Sequence, residues 1–571
     1  MKEGIFIRTT ISALCLIVLL TQITSPAQNS LVQFFDVAGE VGLTQKNIFG
    51  APDHKRYTLE VTGNGCAFFD YDNDGFQDIL LVGGSTIEGI QKGGDLLCAL
   101  YHNDGKGHFQ DVTAKAGLTA RGWGMGVTIA DIDNEGWEDI YITGFGSNVL
   151  YRNNGDGTFT DITGKAGVAD GGWSTGCAFG DYDNDGHVDL FVVHYLQFDL
   201  KNMPEWGSRP YCYYRGIPVH CGPKGLAPET DRLYHNNGDG TFTDVSVKAG
   251  ILQEKRYYGF TAVWTDYNDD GLLDIYVAND STPNLLYRND GDGTFTEVGL
   301  MTGVAVSEDG HEQAGMGVAI GDYNGDGLLD IFVTNFSDDY STLYRHDPDH
   351  TYTDVSTRAG LGTATWNNLS WGTGLIDYDN DGTPDLFVAS GHIYPEVDAY
   401  QFGTRYRLLN QLFRNHGGEK FQDLEGLAGP PFVVARSSRG AAFGDYDNDG
   451  DTDILVVNIN DKPFLLENRG GNRRSWIGFQ AEGKRSNRSG IGSRIRVRAG
   501  NRVWTQEVRS SGSYISHNDR RILFGLGALD KVDSAEIRWP DGQIQKVENL
   551  LANAYYHWKQ GEAAERMNMQ K

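Results

Sequence analysis

Between residues 31 and 469 the chain alternates short apolar runs with polar turns, and the runs come in sets of four. Each set opens on a Gly-rich apolar run, as in GCAFFD (Gly65–Asp70), GMGVTIAD (Gly124–Asp131) and GCAFGD (Gly176–Asp181). An acidic loop follows, then a second run such as DIYV or DLFV. The third run reads LYRNNGDG (Leu150–Gly157) or LYRNDGDG (Leu286–Gly293), and the fourth TFTDI (Thr158–Ile162) or TFTEV (Thr294–Val298). Short runs bounded by Gly, Asn and Asp predict strands rather than helices. A four-stranded unit returning every 50 to 85 residues predicts an all-β fold in which each unit is one blade of a propeller.

The ends of the array predict how it closes. The seventh unit stops after its third run, PFLLEN (Pro463–Asn468), while an orphan fourth run, QFFDVAGEVGL (Gln33–Leu43), precedes the first unit. The orphan matches FTDITGKAGV (Phe159–Val168) position by position. An N-terminal strand that completes the last blade leaves no free sheet edge, so the expectation is a closed seven-bladed β-propeller over 31–469.

The loop carries the chemistry. It reads Asp-x-Asp/Asn-x-Asp/Glu-Gly-x-x-Asp seven times, and acidic oxygens at positions 1, 3, 5 and 9 converge on one point. Hard oxygen donors in that number suit calcium. Four copies are complete: Asp70, Asp72, Asp74, Asp78; Asp181, Asp183, Asp185, Asp189; Asp377, Asp379, Asp381, Asp385; and Asp445, Asp447, Asp449, Asp453. The second has Glu135 beside Asp131, Asp133 and Asp139. The fourth (Asp266, Asn268, Asp270, Asp274) and fifth (Asp322, Asn324, Asp326, Asp330) lose a charge at position 3 and are expected to bind more weakly. An EF-hand is excluded, because it needs Glu at position 12, where the first loop has Leu81. Single clusters of Asp, Asn and Gly also form plain turns; seven copies that all keep the last Asp argue for up to seven calcium ions.

These loops resemble the FG-GAP/VCBS repeats of integrin-alpha-like propellers. The segments GIGSRIRVRAG (Gly490–Gly500), SGSYISHNDRRILFGLG (Ser511–Gly527) and IRWPDGQIQKV (Ile537–Val547) resemble an ASPIC/UnbV domain, placed at 470–560 with a tail at 561–571. The combination is similar to the cartilage acidic protein-like family. That resemblance implies calcium binding and an extracytoplasmic location, and no settled activity.

Residues 1–27 read as a signal peptide: Lys2 and Arg8, the apolar run Ile11–Leu20, and Ser-Pro-Ala at 25–27. No segment is long and apolar enough to span a bilayer, so a secreted, periplasmic or cell-surface protein is expected. In such a compartment Cys212 and Cys221, flanking YYRGIPVH, are expected to form a disulfide. Cys66 and Cys177 occupy equivalent inner-strand positions and read as buried, and Cys98 is left over. The net charge is −29, yet residues 470–571 carry 18 Lys and Arg against 10 Asp and Glu, leaving −37 for the rest. Twenty-six of those carboxylates are loop positions. Nucleic acid is a poor partner for such a surface. The basic C-terminal module is open to three readings: docking on the acidic ring, holding an anionic polysaccharide, or carrying ordinary solvated arginines on exposed strands.

Connections from second to third strand lie on the face opposite the acidic loops, and two are long: His194–Pro223 and Gly391–Arg407. Long loops on a rigid ring are where ligands are recruited. His194, His220, His392, Tyr394 and Glu396 are the candidate binding face. Trp123, Trp173 and Tyr258 stand at equivalent positions before their loops, and read either as core or as the rim of the channel. The leading expectation is a calcium-binding module for a protein or polysaccharide ligand. The alternatives are an enzyme of saccharide or secondary metabolism, with its site in the long loops of blades 3 and 6, and a purely structural envelope or matrix protein. No HExxH, GxSxG, P-loop or CxxC motif supports catalysis.

Overall fold

A computed structural model describes residue 1, residues 32–252 and residues 255–568. The expected leader at 1–27 lies outside the described residues apart from Met1.

The four runs of the first unit form one antiparallel sheet in chain order: Cys66–Phe69, Asp78–Val82, Cys98–Asn103 and Phe109–Asp111. The same order builds the sheets that begin at Arg121, Ser174, Gly259, Val318 and Ser370. The first of these takes Asp95–Leu96 as an extra strand on its inner edge. The last sheet combines Ser438–Gly444, Asp453–Asn458 and Phe464–Arg469 with the N-terminal strand Gln33–Asp36. That strand pairs antiparallel, with Gln33 opposite Arg469 and Asp36 opposite Leu466. Innermost strands touch in chain order, and Ser438–Gly444 returns against Cys66–Phe69, so the circuit is closed.

An asparagine on the third strand ties each sheet to the one before it. Asn103 donates its side-chain N–H to the Tyr446 carbonyl at 2.9 Å, Asn153 to Tyr71 at 2.8 Å, and Asn236 to Ile132 at 2.9 Å. Asn289, Asn415 and Asn468 do the same to Tyr182, Tyr323 and Tyr378. In the fifth unit His346 replaces the asparagine and stacks on Tyr352, ring centroids 4.5 Å apart.

From Ser475 onward two four-stranded sheets share a core that includes Ile477, Phe479, Val497, Trp539 and Trp558. Between Arg502–Glu507 and Ile522–Gly527 the chain leaves these sheets and enters the axis of the ring. There it meets the innermost strand of every sheet. Thr128 donates to the Ser510 carbonyl, Ser510 Oγ to Phe179, and Ser511 Oγ to Ala262. Ser513 exchanges two 2.7 Å backbone bonds with Val318, and its Oγ accepts from Thr373 N–H. His517 N–H donates to Cys66, and Asn518 accepts from Phe443 N–H. Tyr514 is fully buried and packs edge-on against Trp371 (4.8 Å) and Phe260 (5.6 Å). The approach is close: a Cβ on Gly65 would lie 2.0 Å from the Ile515 carbonyl oxygen.

Phe34 is the closing strand's fully buried side chain, between the rings of Phe432 and Tyr378. Phe34→Ala is expected to lower the unfolding free energy by about 3–5 kcal/mol, read as a lower urea midpoint. An unchanged midpoint would show that the N-terminal strand does not close the last sheet in solution.

Candidate metal cages and the opposite face

In the first loop Asp70 accepts the backbone N–H groups of Asp74 (3.0 Å) and Gly75 (2.9 Å), which curls the chain back on itself. Asn73 sits at φ 57°, a left-handed conformation that Asn tolerates, and donates to Gly136 of the next blade. Asn134, Asn184, Asn380 and Asn448 reach Gly186, Gly271, Gly450 and Gly75 in the same way. Asp78 accepts from Tyr71 N–H (3.1 Å) and from Asn103 N–H on the third strand (2.7 Å).

These bonds turn the remaining lone pairs toward one point. Asp70, Asp72 and Asp78 place oxygens within 4.8 Å of one another, as do Asp131, Asp133 and Asp139, and Asp181, Asp183 and Asp185. Asp72 Oδ1 and Asp385 Oδ2 are buried without a hydrogen bond. Asp72 and Asp74 lie equally close to His102, and Asp183 and Asp189 to His235, so the first and third cages add an imidazole nitrogen. The carboxylate oxygens with their orphaned buried lone pairs fit calcium. Burial first, and then crowding by neighbouring carboxylates, pushes Asp70 up to about 6, Asp78 to about 7, and Asp181 and Asp447 to about 8.

The cages differ in the cations the chain itself brings to them. His102 Nδ1 lies 3.3 Å from both Asp72 and Asp78, and His235 Nδ1 lies 3.4 Å from Asp183 and 3.1 Å from Asp189. Arg152 reaches Asp133 at 2.6 Å and also Glu135, while Arg414 and Arg474 reach Asp379 at 3.2 and 2.7 Å. In the fourth and fifth loops Asn268 and Asn324 donate to Asp270 and Asp326 at 2.8 Å. The seventh is the most acidic, with buried Asp451 at position 7 and Glu467 where other units place His or Arg.

The basic module docks on this face. Arg494 reaches Asp269 (2.5 Å) and the Asp266 carbonyl (2.6 Å), Arg538 reaches Asp266 (2.5 Å), and Arg502 donates to the Asp381 carbonyl (2.9 Å). Arg521 donates to Asn448 (2.6 Å) and to the Asp445 carbonyl (2.5 Å).

On the opposite face Cys212 and Cys221 form a disulfide, and Cys66, Cys98 and Cys177 are free and buried. The Tyr394 ring lies 4.8 Å from His220 and 5.4 Å from His392. Burial lowers both histidines to about 3, and His392 Nδ1 accepts the Tyr394 N–H at 3.0 Å. His194 stands apart, its Nε2 3.2 Å from Asp170, and Glu396 is partly exposed. The structure therefore joins three of the five expected residues, beneath the surface rather than on it. Trp123, Trp173 and Tyr258 lie in the buried cluster with Tyr195, Phe260, Trp371 and Tyr514. Sequence reasoning passes over the third-strand asparagines. Their signal is recurrence, because the same Asn closes that run in six of the seven units.

A carboxyl raised to between about 6 and 8 in the folded chain, against an ordinary 3.8, holds its proton more tightly folded than unfolded. Between those limits the folded state carries more protons, so metal-free stability falls as pH rises. In EDTA the melting temperature is expected to drop from pH 5 to pH 8, and millimolar calcium is expected to restore it at pH 8. A melting temperature that is flat with pH in EDTA would contradict the cage electrostatics.

The FG-GAP-like repeat model matches residues 70–142, 134–192, 225–277, 266–333 and 322–388, and the ASPIC and UnbV model matches residues 483–565. Human cartilage acidic protein 1 is 26% identical over 347 residues, covering 57% of this chain and 47% of that protein. The Xenopus tropicalis protein of the same name is 25% identical over 378 residues, covering 62% and 54%. The chain spans about half the length of the curated relatives it matches. A solved Agrocybe aegerita lectin that recognises non-reducing terminal N-acetylglucosamine is 17% identical, with a TM-score of 0.35 over 71% of this chain and 88% of that one. So distant a likeness carries no argument about function. The repeated acidic loops and the basic module behind them rest on firmer ground, and the chain belongs to the FG-GAP-like repeat proteins that bear an ASPIC and UnbV domain.

Proposed function

We propose that this chain is an exported, calcium-stabilised propeller of seven blades that acts as a binding module for a protein or polysaccharide. One observation carries the reading. The C-terminal module lies across the cage face and sends Ser510–Asn518 into the axis, which leaves the long-loop face as the surface open to a partner. That face presents aromatic side chains to solvent: Trp206, Tyr213 and Tyr400 are 41%, 50% and 45% exposed. Exposed aromatics are typical anchors of binding surfaces. The disulfide within the longest loop agrees with an oxidising compartment.

The cages hold the calcium, up to seven ions in all, and they set the scaffold rather than the specificity. Occupancy is uneven in this reading. The fourth and fifth cages are weak because Asn268 and Asn324 replace a carboxylate. The second and sixth compete with Arg152, Arg414 and Arg474.

Elemental analysis after equilibrium dialysis against millimolar calcium is expected to find five to seven calcium ions per chain and no stoichiometric transition metal. Little calcium, or one tightly held zinc, copper or iron, would overturn the cage assignment. The paired substitution Trp206→Ala and Tyr213→Ala is expected to weaken binding to a ligand found on a glycan or matrix-protein array by about tenfold or more, with calcium content and melting temperature unchanged.

A further inference from the structure

At the centre of the long-loop face, above the segment that fills the axis, lies a cavity of about 370 Å³. Its floor is aromatic: Tyr195 stacks on Phe260 at 4.5 Å, Trp371 stands 6.1 Å from Phe260, and Tyr514 seals the axis beneath them. Tyr214 and Tyr394, ring centroids 5.3 Å apart, form one wall. Asp280, Asp338 and Asp339 line the same cavity, with the exposed Glu312 beside them.

The carboxylates are held in place, and largely by neutral groups. Asp280 accepts from Tyr195 Oη–H at 2.7 Å and Ser281 Oγ–H at 2.8 Å, and Asp339 accepts from Gln313 Nε2 at 2.8 Å. Asp338 accepts from Tyr214 Oη–H and is clamped by Arg215, whose guanidinium also lies over Phe402 and Tyr214, while Arg439 lies over Trp371 at 4.2 Å. Lys224 is the one basic residue in the lining among the described residues, against four acids. Among the described residues, the lining includes no Asn, Gln, His or Arg side chain. Nine residues of the lining carry hydroxyls, which donate or accept, while the four carboxylates only accept. With four acids against one lysine, the lining disfavours an anion. A positive ligand suits this excess of acids, since aromatic faces and carboxylates both attract an ammonium group.

We propose that this cavity is a binding site for a small organic ammonium ion, free in solution, whose charged head lies between the Tyr214 and Tyr394 rings and the carboxylates of Asp280 and Asp339. The inference rests on the long-loop face being the binding face, and it names the chemistry taken at its centre. The cavity is of the size at which small-ligand sites begin, about 300 Å³, so a compact head group fits better than an extended chain.

The test is calorimetric titration of the full chain in millimolar calcium with choline, tetramethylammonium, glucose and N-acetylglucosamine. Choline and tetramethylammonium are expected to bind saturably at one site per chain, and the two sugars are not. Asp339→Asn, which keeps the side-chain shape and an acceptor for Gln313, and Tyr214→Leu are each expected to weaken ammonium binding about tenfold. Calcium content and melting temperature, measured on the same samples, confirm that each variant is folded. Absence of saturable ammonium binding, or equal affinity in Asp339→Asn and the parent, overturns the proposal. Sugar binding abolished by Tyr214→Leu overturns it too, yet leaves the binding-face reading standing. A chain that takes up no calcium fails the scaffold reading whatever the ammonium titrations show.

Discussion

The aspartate that ends each acidic loop is buried to 2% exposure or less, and it accepts the backbone N–H of the third-strand residue across its own sheet. In all but the sixth loop its second oxygen also accepts the N–H of loop position 2. One carboxylate thus joins the hairpin, the third strand and the cage. The residue it holds on the third strand is, in six units, the asparagine that reaches the neighbouring sheet. Cage shape, sheet register and sheet-to-sheet spacing therefore depend on the same buried charge. Asp78 and Asp189 also have His102 and His235 beside them. A buried carboxylate whose partners are mainly dipoles is poorly compensated, and a cation in the cage would supply what those dipoles do not.

The C-terminal module compensates the same face by a different route. Its arginines donate to loop carbonyls and carboxylates of the second, fourth, sixth and seventh units, and its inserted segment hydrogen-bonds along the axis. Surface ion pairs are individually weak. Arg494 and Arg521 are different, because they are buried and bond to backbone oxygens as well as to side chains. The ring and the module are in that sense one folding unit, with part of the module's basic charge turned inward while Arg485, Arg496 and Lys546 stay exposed.

Much of this is legible in the sequence alone. Repetition reveals the four-stranded units and the acidic loops, and the missing fourth strand at one end with the orphan at the other reveals the closing pair. Cys212 and Cys221 stand close in sequence within a loop, so their bridge is local information. The axis is not legible. Tyr514 meets Trp371 and Phe260 only because the ring brings residues far apart in the chain around one point, and nothing periodic marks Ser510–Asn518 as an insert. The histidines mislead for a related reason. His220 and His392 sit in loops, which are usually exposed, but these loops fold over their own aromatic residues and bury the rings. The third-strand asparagines are visible as a recurrence, yet their role is not, because their partner carbonyls belong to another unit.

Closure by Gln33–Asp36 also sets an order of events during synthesis. The partner strand Phe464–Arg469 is made more than four hundred residues later, so Gln33–Asp36 must wait unpaired while the intervening sheets are made. Until then the growing array has two open strand edges, each able to pair with the wrong chain. The window for wrong pairing therefore stays open until residue 469 has been made, and it ends with the last sheet rather than sheet by sheet.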